Sequence, residues 1–332
     1  MMYTFYPKLS PIAGLTGFGG GIANLTFTGA AYVTTGKWYG NRGITGGGKT
    51  NSGYHAGMDY FNIASAGNAS SFGNLTTARR NLGAASDSIK GVFAAGDTGS
   101  KSNVIDYVTI ASTSNASDFG DLTAAIAGPD QGCSDGGYGL FSGGADSSTN
   151  FRTQIEYITI ASTGNAGDFG DLTLGRGYHA ACADATRGVM AGGGDQSHPN
   201  PPTNTIDYVT IATPGNATDF GDLNNQRKAW AGCSSTTRGV FGGGSTAAHG
   251  QSNDIYYITI DTTGDSSDFG NLTRSHESVS SCSNATIGVW TGGYPDRSNI
   301  MDYVTIASTG DASDFGDLVN ERTFPASCAG DT

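Results

Sequence analysis

One unit of sequence occurs six times along this chain, and its recurrence constrains the fold more than any other feature. Each unit carries a tyrosine followed 15 residues later by a leucine, and successive tyrosines lie 46–51 residues apart. The six tyrosines are Tyr60, Tyr107, Tyr157, Tyr208, Tyr257 and Tyr303. A period near 50 residues built from short strands is typical of a β-propeller, in which each repeat forms one blade. We therefore predict an all-β fold, a six-bladed β-propeller of four-stranded blades.

The unit from Tyr178 to Leu223 shows how one blade is predicted to form. Residues 178–183, 188–194, 206–212 and 219–223 are apolar or alternate between apolar and polar, and turn-forming residues separate them. Four short runs of this kind are typical of four antiparallel strands joined by tight turns and one polar loop.

The two ends of the repeat array predict how the ring closes. The segment 321–330 resembles one more first strand, whereas the glycine-rich strand at 43–48 has no partner before it. We therefore predict that the C-terminal strand joins the N-terminal blade, which removes an exposed sheet edge. Residues 41–332 then form the propeller, and residues 1–40 are interpreted as an extended, Gly-rich anchoring arm.

Variation in length is almost confined to the stretch between the second and third strands. The six stretches are 49–57, 97–104, 145–154, 195–205, 245–254 and 294–300. Insertions on one face of a repeat array often mark its binding face. We expect the arm to leave from the opposite face, so that one side attaches and the other presents a surface.

The variable loops supply the predicted ligand-binding residues, chosen because they are polar or aromatic. They are Tyr54, His55, Phe151, Arg152, His198, Asn200, His249, Asn253, Tyr294 and Asp296.

Composition excludes several classes of partner. The chain carries 17 Lys and Arg against 29 Asp and Glu, a net charge of −12, which disfavours binding to nucleic acid. No apolar run is long enough for a membrane span, and residues 1–11 lack the apolar stretch of a signal peptide. Work outside a cell would therefore need another route, such as release by lysis as part of a virus particle.

The five cysteines follow the repeat period. Cys133, Cys182, Cys233, Cys282 and Cys328 are 46–51 residues apart, and Ala85 takes the corresponding position in the remaining unit. Equivalent positions in neighbouring blades lie on the order of 10 Å apart, too far for a disulfide. We expect reduced thiols packed between blades.

No motif predicts catalysis or a cofactor. The sequence has no GxSxG elbow, no HxxxH or HxH zinc spacing and no GxxxxGK[ST] phosphate loop. The aspartates before Phe and after Gly recur once per unit, so capping of backbone N–H groups is their expected role rather than cation binding. A pair of carboxylates brought together from distant loops, as glycoside cleavage requires, stays open.

The unit resembles the kelch repeat, whose motif is a glycine pair, Tyr, an aromatic residue, Leu and then Arg. Here the glycine pairs, Tyr208, Phe220, Leu223 and Arg227 follow that order. The Arg position is also filled by Arg79, Arg176 and Arg322, and it is replaced by Ile126 and His276. The unit departs from the kelch pattern in carrying Phe instead of Trp. The resemblance covers residues 43–330 and implies a propeller fold without implying one function.

The repeated segment IDYVTIASTGNAxDFGDLT also looks like repeats in virion-associated propellers of tailed bacteriophages, especially marine ones. That resemblance implies a non-catalytic structural or adhesion protein located in the virion, present in many copies. Residues 1–40 would dock on other virion proteins, and the variable loops would meet a host surface glycan or protein. Two alternatives remain: a purely structural spacer or decoration of the capsid or tail, and a glycan-degrading enzyme.

Overall fold

The computed structural model describes residues 37–128, 131–195, 201–247 and 250–332. Within these ranges the protein is entirely β-structure and turns, with six sheets of four antiparallel strands. No helix in this part of the chain could cross a membrane. The predicted six-bladed β-propeller is confirmed. Of the predicted arm, residues 1–36 lie outside the described residues.

In each blade the strands are numbered from the axis outward, and first strands of neighbouring blades lie side by side around the axis. Blade 1 consists of Ala326–Gly330, Arg42–Gly46, Gly57–Asn62 and Ser70–Asn74. Blade 2 consists of Gly83–Ser86, Lys90–Ala94, Ser102–Thr109 and Ser117–Ile126. Blade 3 consists of Cys133–Ser134, Tyr138–Ser142, Gln154–Thr159 and Gly167–Asp171. Blade 4 consists of Ala180–Ala183, Arg187–Ala191, Thr203–Thr210 and Thr218–Arg227. Blade 5 consists of Ala231–Ser234, Arg238–Gly242, Asp254–Thr259 and Ser267–Asn271. Blade 6 consists of Ser280–Ser283, Ile287–Thr291, Ile300–Thr305 and Ser313–Asp317.

Blade 1 contains strands from both ends of the propeller sequence. Ala326–Gly330 pairs antiparallel with Arg42–Gly46, in a register that sets Ile44 opposite Cys328. The predicted closure by the C-terminal strand is therefore confirmed. The propeller has two faces. The loop face carries the second-to-third loops and the connections from one blade to the next, and the turn face carries the first-to-second and third-to-fourth turns.

Neighbouring blades pack through a cysteine on one side and a glycine on the other. All five cysteines are buried, free thiols, as the sequence predicts, and burial raises the pKa of Cys328 to about 12. A Cβ added at Gly239 would lie 2.6 Å from Cys182 Sγ, and one at Gly288 would lie 2.5 Å from Cys233 Sγ. In five of the six seams the glycine near the start of the second strand is therefore required, because the sulfur of the preceding blade occupies the space of a side chain; in the sixth, Gly139 faces Ala85.

This packing predicts a coupled pair of substitutions. Gly239→Ala should destabilise the protein by roughly 1–3 kcal/mol, because the added methyl overpacks the seam against Cys182 Sγ. Cys182→Ala in the same chain should recover about 1 kcal/mol, because removing the sulfur opens the space that the added methyl group occupies. Urea unfolding of the two single variants and the double variant measures the coupling. Strictly additive costs would contradict the proposed contact.

The perimeter is closed by hydrogen bonds between blades. An Asn or Asp side chain in each third-to-fourth turn accepts the N–H of an Asn or Asp in the outer strand of the preceding blade, at 3.0–3.1 Å. The six acceptors are Asn68, Asn115, Asn165, Asn216, Asp265 and Asp311. The capping predicted for the aspartates beside Phe is therefore mostly performed by these turn residues, although Asp314 does accept the N–H of Gly316.

A second ring of hydrogen bonds closes the axis at the loop face. In each blade a residue shortly before the first strand has a left-handed backbone, with φ of 55–64°, and its N–H donates to the carbonyl of the equivalent residue in the preceding blade at 2.6–3.1 Å. The six residues are Asn81, Gly128, Tyr178, Ala229, Ser278 and Phe324. Five of them are not glycine, so the ring offsets a conformational cost of about 1 kcal/mol at each position.

Gln131 fills the axial channel below this ring. Its Nε2 donates to the carbonyl of Val279, and its Oε1 accepts from the N–H of Gly232 and from Ser281 Oγ. The side chain thus runs from blade 3 across the axis to blades 5 and 6. At the turn face the channel widens into a cavity of about 70 Å³, lined by first-strand residues and Trp38.

Buried ion pairs hold the connections between blades against the third strands. Arg79 and Asp106 pair at 2.9 Å with both side chains fully buried, and Arg176 pairs in the same way with Asp207 at 3.0 Å. Arg322 pairs with Asp59, and Arg227 with Asp254. The Arg position noted in the repeat is therefore structural.

The two blades without this arginine show different substitutes. In blade 3, where Ile126 replaces it, Arg152 from the variable loop reaches Glu156 at 3.3 Å. In blade 6, Asp302 accepts hydrogen bonds from Thr273 N and Oγ1, and burial raises the pKa of its carboxyl group.

The buried pair predicts a large effect of a small change. Asp106→Asn should cost about 3 kcal/mol or more, because it leaves the Arg79 guanidinium buried without a counter-charge. The matched control is Asp97→Asn at the partly exposed Arg80–Asp97 pair, 3.2 Å apart, which should cost about 1 kcal/mol or less. Chemical denaturation of both variants tests this, and equal losses would show that burial does not govern these pairs.

Candidate functional site

The loop face is ordered by short pairings between two kinds of connection. In every blade a residue of the second-to-third loop pairs with a residue just after the Arg position of the connection that leads into that blade. The six pairs are Lys49–Thr323, Arg80–Asp97, Ala127–Ala145, Gly177–Gly194, Lys228–Ser245 and Glu277–Tyr294. The backbone of this face is repeated sixfold, while the side chains at the paired positions differ in charge and size.

These pairings surround a depression on the propeller axis, which we call the axial basin. It has a volume of about 260 Å³ and lies over the ring of six left-handed residues. Its lining residues are Arg80, Asn81, Tyr178, Lys228, Ala229, Glu277, Ser278 and Phe324. The basin therefore combines two cations, one carboxylate and two aromatic rings within a chain whose net charge is −12.

Arg80 is held rigidly at the edge of the axial basin. Its guanidinium lies 5.6 Å from the ring centre of Tyr54 and 5.5 Å from that of Phe324, and it donates to Asp97 Oδ2 from Nε and Nη2. Cation–π contacts and a charged acceptor together limit its rotamers. On the other side, Tyr178 packs edge to face with Phe151 at 5.8 Å, and burial raises the pKa of the Tyr178 hydroxyl.

A second depression, which we call the blade 4–5 groove, adjoins the axial basin. Its volume is about 600 Å³. One wall is the end of the outer strand of blade 4, with Asn224, Asn225 and Gln226 exposed, and the other is the loop of blade 5 that carries Gln251 and Asn253. Gln251 Nε2 donates to Glu277 Oε1 at 3.3 Å, and this contact joins the groove to the basin.

The structure brings several of the predicted ligand-binding residues to these two depressions. Tyr54 contacts Arg80 and Phe151 contacts Tyr178, so each predicted aromatic residue packs against a residue that lines the axial basin. Tyr294 is 43% exposed beside Glu277, to which its backbone is paired. Asn253 lines the groove.

Other predicted residues lie elsewhere on the loop face. Burial, reinforced by Arg322, lowers the pKa of His55, whose Nε2 is buried and finds no hydrogen-bond partner among the described residues. Arg152 is half-buried in its ion pair with Glu156, and Asp296 is exposed near His276. His198, Asn200 and His249 fall outside the described residues, so their place in the site stays a prediction.

Sequence reasoning missed the residues contributed by the connections between blades. Arg80, Tyr178, Lys228 and Glu277 lie in these connections, and the amides at 224–226 lie at the end of the outer strand that leads into one of them. Their lengths hardly vary, so a search for variable length passes over them. A usable signal was present in the sequence, because the residue that follows the Arg position differs in every unit. The six residues are Arg80, Ala127, Gly177, Lys228, Glu277 and Thr323.

No family model matches the chain, and no curated protein matches it. In the part of the chain that the structure describes, no three His, Cys, Asp or Glu side chains are grouped so that they could hold a metal ion.

His276 at the edge of the site predicts a pH dependence of stability. Burial, reinforced by Arg274 and opposed by Asp296, lowers its pKa to about 4, whereas an unfolded histidine titrates near about 6.5. Between these values the unfolded state binds more protons, so the contribution to stability is present above pH 6.5 and is lost as the pH falls to about 4. The loss should be on the order of 2 kcal/mol.

Urea unfolding at pH 7 and at pH 4.5 measures this loss, with His276→Gln as the control that removes the titration. The variant should lose less stability than the natural chain over this interval. Parallel pH profiles for the two proteins would contradict the assignment.

Proposed function

We propose that this chain is a non-catalytic recognition propeller of a tailed bacteriophage particle, and that its loop face binds a glycan or protein on the host surface. One observation carries the proposal. The features that differ from blade to blade, namely the second-to-third loops and the residues paired with them, all lie on the loop face. The cysteine–glycine seams and the perimeter hydrogen bonds are nearly the same in all blades. Such a division is expected where one surface is selected for binding and the remainder for folding.

The position of residues 37–40 supports an attachment side opposite the loop face. Lys37 Nζ lies 2.7 Å from Asp331 Oδ1, and the carbonyl of Trp38 accepts a hydrogen bond from Ser86 Oγ at 3.2 Å. Both partners lie where first strands end at the turn face. A segment that leaves the propeller here can dock on other virion proteins while the loop face stays accessible. The virion itself is supported by the resemblance of the repeated segment to phage propellers.

Many copies on one particle would make weak contacts effective. The described residues of the loop face form shallow depressions with polar, charged and aromatic side chains, and neither depression is the deep apolar pocket of a tight small-molecule site. Multivalent attachment raises the overall affinity by orders of magnitude without new contacts.

Binding of the purified protein to host cell envelopes tests this function. The test variant has loops 195–205 and 245–254 shortened to the length of the shortest loop, with the strand residues 203–205 and Asp254 kept. It should bind at least about tenfold less, corresponding to about 1.4 kcal/mol. The control is Thr163→Gln with Thr213→Gln, two exposed positions in turns of the turn face. Both variants should keep the unfolding midpoint of the natural chain.

Each other result points to a different function. Unchanged binding by the shortened variant, or a loss confined to the turn-face control, would contradict recognition by the loop face and favour a structural spacer. Release of reducing sugar from host polysaccharide by the unmodified protein would overturn the non-catalytic assignment.

A further inference from the structure

The chain contains an internal comparison for the blade 4–5 groove. The outer strands Ser117–Ile126 of blade 2 and Thr218–Arg227 of blade 4 both have ten residues, and both run past the leucine of the repeat towards the loop face. Their registers are equivalent, because Ser102 pairs with Ile126 where Thr203 pairs with Arg227. The same backbone carries Thr123, Ala124 and Ala125 in one blade and Asn224, Asn225 and Gln226 in the other.

Folding therefore does not require the three consecutive amides at 224–226. Asparagine is unfavourable in strands relative to threonine, and alanine occupies two of the three positions in the matching strand. All three amide residues are exposed, and the side chains of Asn224 and Gln226 make no hydrogen bond to the part of the chain that the structure describes. Their donors and acceptors are available to a ligand.

The facing wall continues the same chemistry. Gln251, Ser252 and Asn253 from blade 5, with Ser275 and Asn204, complete a lining of amides and hydroxyl groups. At the matching loop of blade 3 the corresponding residues are Phe151, Arg152 and Thr153. Amides are thus concentrated on both walls of one groove.

The lining residues that the structure describes give the groove no unpaired charge to attract an ion. Its charged lining residues are Arg227 and Asp254, which form an ion pair with each other, and the Arg227 side chain is only 1% exposed. Asn225 Nδ2 donates to Tyr256 Oη at 2.9 Å, which orients that amide and leaves its oxygen as an acceptor. An amide presents a donor and an acceptor side by side, which matches a pair of neighbouring hydroxyl groups.

We infer that the blade 4–5 groove binds a neutral oligosaccharide segment, held by amide hydrogen bonds from Asn224, Asn225, Gln226, Gln251 and Asn253. The volume of about 600 Å³ lies within the 300–1,000 Å³ usual for ligand sites. This inference rests on the proposed function, since it names the ligand class for one part of the loop face.

Binding of the full chain to an array of defined oligosaccharides tests the inference. The probes are neutral oligomers of glucose, galactose, mannose and N-acetylglucosamine, alongside matched oligomers that contain uronic acid. The double variant Asn225→Ala with Gln226→Ala reproduces the natural Ala124–Ala125 pair. It should bind a neutral probe at least about tenfold more weakly, because two hydrogen-bonding groups are lost.

The control introduces the same amides at the matching strand. Thr123→Asn with Ala124→Asn and Ala125→Gln should leave binding unchanged, because Phe151 and Arg152 form the facing wall there. Thermal unfolding midpoints equal to that of the natural chain establish that both variants fold.

Several results would overturn the inference. The first is that the natural chain binds no neutral oligosaccharide. The second is that the double variant binds the neutral probes as tightly as the natural chain does. The third is that the natural chain binds only uronic-acid oligomers or only a host protein. If shortening loops 195–205 and 245–254 abolishes attachment to host envelopes while the double variant attaches normally, the proposed function stands and the glycan groove does not.

Discussion

The antiparallel pairing of Ala326–Gly330 with Arg42–Gly46 is the interaction on which the rest of the molecule depends. It completes blade 1, and a complete blade 1 allows every other inter-blade contact to form a closed circle. The perimeter bond from Asp317 N to Asn68 Oδ1 and the axial bond from Asn81 N to the Phe324 carbonyl both cross this junction. Closure removes free sheet edges, which would otherwise pair with other chains.

The contacts that repeat around the ring differ with distance from the propeller axis, and each kind stabilises a different part of the blade. Near the axis, small residues and the cysteine–glycine seams let the first strands approach closely. Farther out, buried arginine–carboxylate pairs tie the connections that lead into blades 1, 2 and 4 to the third strands of those blades. Because these pairs are buried, they need their hydrogen-bonding partners to be favourable at all. The loop face can vary in side chains since none of this framework depends on the paired positions there.

Much of the fold could be predicted from the sequence, because the residues that a blade needs for folding recur at the same positions in all six units. The spacing of the tyrosines gave the blade count, the unpaired strand segments at 43–48 and 321–330 gave the closure, and the cysteine spacing gave the buried inter-blade layer. Each prediction needed only the period and the alternation of residues along strands.

The candidate site was predicted only in part, for a physical reason. Loop length identifies which connections vary, but it does not show which side chains meet across blades. Arg152 substitutes, from the loop of its own blade, for the arginine missing at Ile126. Gln131 crosses the channel to Val279, a contact between units that are distant in the sequence. The amides at 224–226 could not be assigned to a site from the sequence, because only the structure shows that the loop of blade 5 faces them.

The two-ended construction of blade 1 has a consequence for synthesis of the protein on the ribosome. Strand Arg42–Gly46 is among the first propeller strands to be made, and its inner partner Ala326–Gly330 is the last. Until residues 326–330 have left the exit tunnel, the nascent chain exposes a three-stranded sheet whose inner edge is unpaired. A prematurely terminated product keeps that edge, which marks it as a substrate for chaperones and proteases.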